Sequence, residues 1–434
     1  HAAPEADRRH PGPAPHRAHR PSSGGSPHGD PVEAGRRMPR GAPLAQADLR
    51  GVKSVQVRPA RPGTSAVPDG PAKYDPHDEQ REENMGKHIA IIGAGAVGGY
   101  VGGHLARAGE DVSLVDPWPE HVEHMKNHGL SLSGTQGEHV VRVNALHMTD
   151  VQAFVRKPVD IAIVCTKSYD TEWAALMIRQ YLGPKGYVVS MQNGINEERI
   201  AGMVGWGRTV GCIVSTISVN AFKAGHIRRY QQPGGNKHTV FRVGEVHGRV
   251  TPRATELAGI LSAVDSANTT TNLWGERWTK LTANAITHGL LGATGLDNRS
   301  VYLERGKAHR LGVKLAAESI SVGRAHGYQL GTILGIQPDE WLAAAAGDAA
   351  AVKRLDEGLR AWMATLIEPS RSSVGRDVER GRRSEIDFTN GLVADKGDEI
   401  GVPAPTHAAV TELVRRIDRG DLKPDPSNID GIAG

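Results

Sequence analysis

The stretch His88-Ile89-Ala90-Ile91-Ile92-Gly93-Ala94-Gly95-Ala96-Val97-Gly98 decides how this chain folds. Its first five residues form a short, almost continuously apolar run, the pattern of a strand buried on both faces. A G-x-G-x-x-G turn follows. Gly93 permits the tight turn, Gly95 lets backbone approach a pyrophosphate, and Gly98 allows a helix to pack closely on the strand. Ala96 and Val97 open that helix, where unpaired N–H groups can receive phosphates. Val97, Val101, Leu105 and Ala108 share one helical face, and Gly109 reads as the stop. A second strand, Val112–Val115, ends at Asp116, 23 residues after Gly93. A carboxylate there can accept hydrogen bonds from the adenosine ribose and would repel a 2′-phosphate. No Arg or Lys follows before Lys126, so NADH is the expected cofactor and NADPH the alternative. The plainer role for Asp116 is to cap the next turn.

Two further junctions extend the same plan. Val159–Cys165 reads as a buried strand ending at Thr166-Lys167, before a helix from about Thr171; Tyr187–Met191 is another, ending at Gln192-Asn193-Gly194. Ligands of open α/β sheets bind beyond the carboxyl ends of the strands, which places Lys167 and Asn193 beside the cofactor. Each is also unremarkable as a surface Lys or a turn Asn. Gly225 to Gly244 reads as additional strands and a hairpin that close the first domain by about residue 270. The fold class is therefore α/β, with a Rossmann-type dinucleotide-binding domain over residues 86–270.

Residues 272 to about 420 lose the strand alternation and carry long helical stretches rich in Ala and Leu. An all-helical substrate and catalytic domain over residues 271–425 is expected. Lys280, Asn284 and His288 are spaced i, i+4, i+8, within an arc of about 80° over about 12 Å of helix. One helix could thus present an ammonium, an amide and an imidazole to one ligand. A solvated polar face is the plainer reading, although Trp278 and Leu281 flank Lys280. A second polar segment holds Ser370-Arg371-Ser372-Ser373, Asp377 and Ser384-Glu385-Ile386-Asp387. Ser384 with Asp387 fits a capping box, and Glu385 in a first turn would be favoured by the helix dipole. Gly401, Pro403 and Pro405 end this helix before a last amphipathic one, from Thr406 to Ile417.

Composition narrows the classes. Residues 1–84 are rich in Pro, Gly, Arg, His and Ala without apolar periodicity, and read as a disordered tail. They hold 13 Lys/Arg against 11 Asp/Glu, and the remainder holds 39 against 37. The formal net charge of +4 is thus spread evenly, without the clustered positive field expected of a nucleic-acid binder. The chain opens on His1, and Arg81-Glu82-Glu83 just before Met85 is what a purine-rich ribosome-binding site would encode. The tail is therefore read as upstream sequence translated in frame, with a natural linker as the alternative. No run approaches the roughly 18 apolar residues of a membrane span, and no apolar secretory segment is present. Two cysteines, Cys165 and Cys212, exclude a disulfide framework and fit a cytoplasmic location. His121 and His124 share a helical pattern without the company of a metal motif, and read as a solvated face.

Taken in order, GAGAVG, Lys167 in VCTKSYDT, Asn193 in MQNG, Lys280 and Asn284 in WTKLTANA, Ser373 in SRSSVGRDV and Glu385 in SEIDFTNG resemble the ketopantoate reductase (2-dehydropantoate 2-reductase) family. The resemblance covers about residues 86 to 425. It implies an oxidoreductase of pantothenate biosynthesis that transfers hydride from a nicotinamide cofactor to a small 2-keto acid, with its site in a cleft between the two domains. A homodimer is compatible with it. It further implies Lys280 as the general acid toward the keto oxygen and Glu385 as a residue that orients Lys280 or contacts substrate. Asn284 and Ser373 would hold the substrate's hydroxyl and carboxylate, with Lys167 and Asn193 near the nicotinamide and Lys280. Two departures stand out. Where the family often has an Arg after the second strand for a 2′-phosphate, this chain has Asp116 and Pro117. Where many members have a second Asn one turn beyond the first, it has His288, an additional substrate contact that could change charge in the working pH range. The alternatives are an NAD-dependent dehydrogenase of another small 2-hydroxy acid, or a dinucleotide sensor without turnover.

Overall fold

Strand β1 (His88–Ile92) is buried at every position because it lies mid-sheet with apolar layers on both sides. Its alternation sends Ile89 and Ile91 into one core cluster and Ala90 and Ile92 into another. In this computed structural model residues 86–366 and 372–433 are described. The expectations for residues 1–84, and for Ser370 and Arg371, lie outside them. After β1 come α1 (Ala96–Arg107), β2 (Asp111–Asp116), α2 (Pro119–His128), β3 (Leu130–Gly134), β4 (His139–Val141), β5 (Asn144–His147) and β6 (Val159–Val164). Next are α3 (Thr171–Arg179), β7 (Leu182–Ser190), α4 (Glu197–Val204), β8 (Thr209–Val214), β9 (Val219–Lys223), β10 (His226–Arg229), β11 (Phe241–Glu245), α5 (Pro252–Leu261) and β12 (Ala267–Thr270).

Eight of the strands form one sheet in the order β12-β11-β8-β7-β6-β1-β2-β5, parallel except where β11 meets β8. The chain leaves β1 for β2 on one side and later returns to β6 on the other. That reversal opens a crevice at the carboxyl ends of β1 and β6, where dinucleotides bind in such sheets. Sequence patterning missed a second sheet, β4-β3-β10-β9, and the helix α5. The sequence indicates strands and a hairpin over Gly225–Gly244 without assigning them to a sheet. The hairpin starts earlier, at Val219, and its strand β10 pairs with β3, while β11 joins the large sheet. Short strands of three to five residues carry too little periodicity to reveal which sheet they join.

The C-terminal region is helical: α6 (Leu273–Thr294), α7 (Asn298–Tyr302), α8 (Lys307–Ala325), α9 (Pro338–Ala345), α10 (Ala349–Met363), α11 (Ser373–Glu379), α12 (Asn390–Ile400) and α13 (Pro405–Asp418). Helix α6 is its spine. Leu281, Ile286 and Leu290 are buried, and fully buried Trp278 donates its indole N–H to the Ser319 carbonyl at 2.8 Å. Gly295, in the left-handed conformation, ends the helix. Its N-terminal turn is anchored in the sheet domain by Arg277, which is 1% exposed. That guanidinium meets the Glu197 carboxylate at 2.7 Å and the carbonyls of Gln192 and Ser190 at 2.9 and 2.7 Å. Each of its three nitrogens thus donates to an acceptor, which offsets the cost of burying a guanidinium.

Two local expectations are corrected. His121 does not sit on a solvated face: it is fully buried, accepting the Gly225 N–H at Nδ1 and donating from Nε2 to the Ala94 carbonyl. Helical spacing could not reveal this, because the partners lie in the glycine turn and the distant hairpin. Ser384 and Asp387 do not form a capping box. The Ser384 hydroxyl donates to Asp418 at 2.8 Å and Asp387 pairs with Arg415, because helix α13 brings both partners alongside. Among the described residues no helix is long and apolar enough to cross a membrane, and no His, Cys, Asp and Glu cluster is placed to hold a metal.

Candidate active site

The glycine turn has the geometry its sequence requires. Gly93 has φ +95°, and a Cβ there would come within 2.8 Å of the Thr166 nitrogen. A Cβ on Gly98 would lie 2.0 Å from the Gly93 carbonyl oxygen, so any side chain would push α1 off β1. At Gly95, by contrast, a Cβ would meet only open space, and no side chain caps the helix that Ala96 and Val97 begin. The first N–H groups of α1 thus face an open cradle bordered by backbone, which fits a pyrophosphate. Asp116 stands at the end of β2 beside this turn, only 8% exposed. It does cap the following turn, accepting the Trp118 N–H at 2.9 Å. Burial raises its pKa, against the backbone N–H groups of Trp118 and Ala94. A donor such as a ribose hydroxyl would repair that desolvation, whereas a phosphate would worsen it.

Across the crevice the helical domain closes on the loops that follow β6 and β7. Lys167 reaches Asp377 of α11 at 2.5 Å and Glu385 at 3.0 Å. Glu385 is 4% exposed and lies in a tight turn before α12, not in the first turn of a long helix. Its second oxygen accepts the Ser168 N–H at 2.9 Å and the Ser168 hydroxyl at 3.0 Å. Burial alone would depress the Lys167 pKa, but Glu385 and Asp377 together hold it above the usual lysine value. The Asp377 carboxyl is raised, since burial outweighs the attraction of Lys167. The cluster therefore costs desolvation as well as gaining charge attraction, and its firm consequence is register between the domains. The Asn193 carbonyl accepts from Ser168 and from Asn196 at 3.2 and 2.8 Å, leaving its side-chain amide half-buried at the rim.

Lys280, Asn284 and His288 occupy one side of α6 as their spacing required. Lys280 has no hydrogen bond or ion pair among the described residues. Burial and, after it, the nearby Arg277 guanidinium draw its pKa down to about 7, with Glu385 acting in the opposite sense. The Asn284 side chain is half-buried, likewise without a side-chain partner. His288 is 7% exposed and lies 3.5 Å from the Ser373 hydroxyl. Burial, helped by Arg376, Lys167 and Lys280, drives its pKa to about 3. The expected change of charge at His288 within the working pH range is therefore corrected: the ring is neutral there. The structure thus brings Lys167 to Glu385 and Ser373 to His288, with Lys280 within electrostatic reach of Glu385 and His288 within reach of Lys167 and Lys280. Glu385 bonds Lys167 and Ser168, and makes no hydrogen bond to Lys280. Arg277, Glu197 and Ser168 were missed as supports of the site. Their only sequence signals were Arg277 lying three residues before Lys280 and Ser168 adjoining Lys167.

Residues 89–241 match the family described as ketopantoate reductase PanE/ApbA, and residues 272–418 match its C-terminal part. The chain belongs to the ketopantoate reductase family. This family member is accordingly an oxidoreductase of the NAD(P)-dependent type. It is 28% identical to the 2-dehydropantoate 2-reductase of Archaeoglobus fulgidus over 335 residues, 77% of this chain and 99% of the relative. It is also 28% identical to the one from Pyrococcus horikoshii, over 75% and 96% of the two chains. A solved PanE/ApbA family ketopantoate reductase from Ralstonia eutropha superposes with a TM-score of 0.62 at 28% identity, covering 77% and 99% of the two chains. D-mandelate dehydrogenase, solved with NADH and anilino(oxo)acetate, shares the fold at 22% identity and a TM-score of 0.63.

Proposed function

We propose that this chain reduces 2-dehydropantoate to pantoate, with NADH preferred over NADPH. The observation that carries the reading is Lys280: an ammonium in the interdomain cleft, unpaired, with a pKa drawn to about 7. A general acid works best when its pKa lies near the operating pH, and a partnered lysine could not release its proton so readily. The nicotinamide, when bound, supplies the hydride. Lys280 Nζ gives its proton to the keto oxygen as negative charge develops there. Asn284, one turn along α6, offers a donor and an acceptor to the substrate's hydroxyl, and Ser373 offers its hydroxyl to the carboxylate. Glu385 holds Lys167 and the Ser168 backbone, keeping the β6 loop and Asn193 beside the reacting carbon. Gly93, Gly95, Ala96, Val97 and Gly98 would cradle the pyrophosphate, and Asp116 would accept from the adenosine ribose.

His288 supports a second reading within the same chemistry, a different small 2-keto acid. It places a bulky neutral ring one turn beyond Asn284, where the family resemblance implies a second amide. The test is cofactor consumption across a panel of 2-keto acids with NADH and NADPH. The expected result is the highest kcat/KM for 2-dehydropantoate with NADH. A better acid in the panel would favour the second reading, and binding of cofactor without turnover of any acid would leave only a sensor.

A further inference from the structure

Trp118 lies two residues beyond Asp116, at the entry to α2. It is 38% exposed, as Trp173 is, whereas Trp278 and Trp341 are fully buried. Its backbone N–H is held by the Asp116 carboxylate at 2.9 Å, and it sits between Pro117 and Pro119, the latter in the first turn of α2. One face of the indole is covered by the His121 ring, nearly parallel at 14° with centroids 5.3 Å apart. His121 cannot swing away, because its two ring nitrogens bond Ala94 and Gly225. The Ala94 carbonyl belongs to the glycine turn itself. Indole, imidazole and phosphate cradle are therefore built as one rigid unit, with the indole partly open to solvent.

We infer that Trp118, backed by His121, is the stacking platform for the adenine base of the dinucleotide. The inference rests on the dinucleotide site proposed above. The base is bonded to the ribose whose hydroxyls would meet Asp116, so it must lie against whatever stands beside that carboxylate. Every base has a π face, and stacking on an aromatic ring favours binding through area and dispersion without a hydrogen-bond code. Preorganisation matters as much: a ring already fixed by His121 and two prolines loses little freedom when the base arrives. His121 acts as a positioning residue, since it touches Trp118 and the turn rather than the base.

The experiment measures equilibrium binding of NADH, of ADP-ribose, and of reduced nicotinamide mononucleotide, which lacks the adenosine half. Trp118→Leu keeps an apolar side chain and removes the π face; Trp118→Phe keeps a ring. Trp118→Leu should weaken NADH and ADP-ribose about tenfold or more, the range of base–aromatic stacking, and leave the mononucleotide unchanged. Trp118→Phe should recover most of the loss. Equal NADH affinity in parent and Trp118→Leu would overturn the platform while leaving the dinucleotide site standing. Equal weakening of all three ligands would also overturn it, because the effect would then be general disruption. A parent chain that binds neither NADH nor ADP-ribose would remove the dinucleotide site and the platform together.

Discussion

Two lysines face the same cleft in opposite electrostatic conditions. Lys167, on the sheet side, meets two carboxylates from the helical domain, and its pKa stands above the ordinary lysine value. Lys280, on the helical side, meets none, and burial with Arg277 draws it down to about 7. Desolvation opposes the charged form of both. What separates them is whether the fold supplies a counter-charge within hydrogen-bond reach. A paired ammonium fixes geometry; an unpaired one is left able to part with a proton. One lysine is thus held by counter-charges from the helical domain, and the other is left to the proton-donor role proposed above.

The largest expected effect follows from losing the unpaired lysine. Lys280→Ala should lower kcat by roughly 10²–10⁴-fold, the usual cost of a missing general acid, with NADH affinity unchanged in a binding titration. Retention of most turnover would remove Lys280 from the role. Lys167→Ala should behave differently, because it strands the buried carboxylates of Asp377 and Glu385. The expected result is a loss of about 1–3 kcal/mol in denaturant-monitored stability, with a smaller fall in kcat than Lys280→Ala causes. If the two variants lose activity and stability alike, the contrast between the lysines is false.

Titration sharpens the same contrast. In the proposed mechanism Lys280 donates a proton, so kcat should fall as pH rises through about 7. Stability should move the other way. Between about pH 7 and the unfolded lysine value the folded chain has lost this proton and the unfolded chain still holds it, so stability rises with pH there. Below about 7 both states hold it, and the folded state bears the full burial penalty. Lys280→Met should therefore raise Tm at pH 6 by about 2 °C or more, and much less at alkaline pH. A lower Tm at pH 6 would show that the ammonium is not penalised. For Lys167 the folded pKa is raised, so its contribution is intact below the unfolded value and fades only as pH climbs through the folded one.

The smallest effect concerns His288, which lies in the field of both lysines and is neutral across the working range. His288→Asn should raise kcat/KM for 2-dehydropantoate relative to the best other acid by a factor of about ten or less, the scale of one neutral hydrogen bond. The ranking of acids by the parent should not change between pH 5 and 8. A pH-dependent ranking would show that the ring titrates after all.

Much of this was legible in the residues in order. The glycine turn, its strand and its helix are local: apolar periodicity, three glycines and a terminal acid determine them without help from distant parts of the chain. The helical register of Lys280, Asn284 and His288 is equally local, since 3.6 residues per turn place them on one side whatever surrounds them. Tertiary structure alone decided which polar groups have partners. Glu385 has a satisfactory local explanation in the sequence, yet it bonds Lys167 and Ser168, more than 200 positions away in the chain. His121 reads as solvated and is instead clamped between the glycine turn and a hairpin. The charge states of Lys280 and His288 were out of reach for the same reason. Periodicity and turn chemistry act over a few residues, whereas desolvation and charge pairing depend on what the fold brings within a few ångströms, and only the closed cleft determines that.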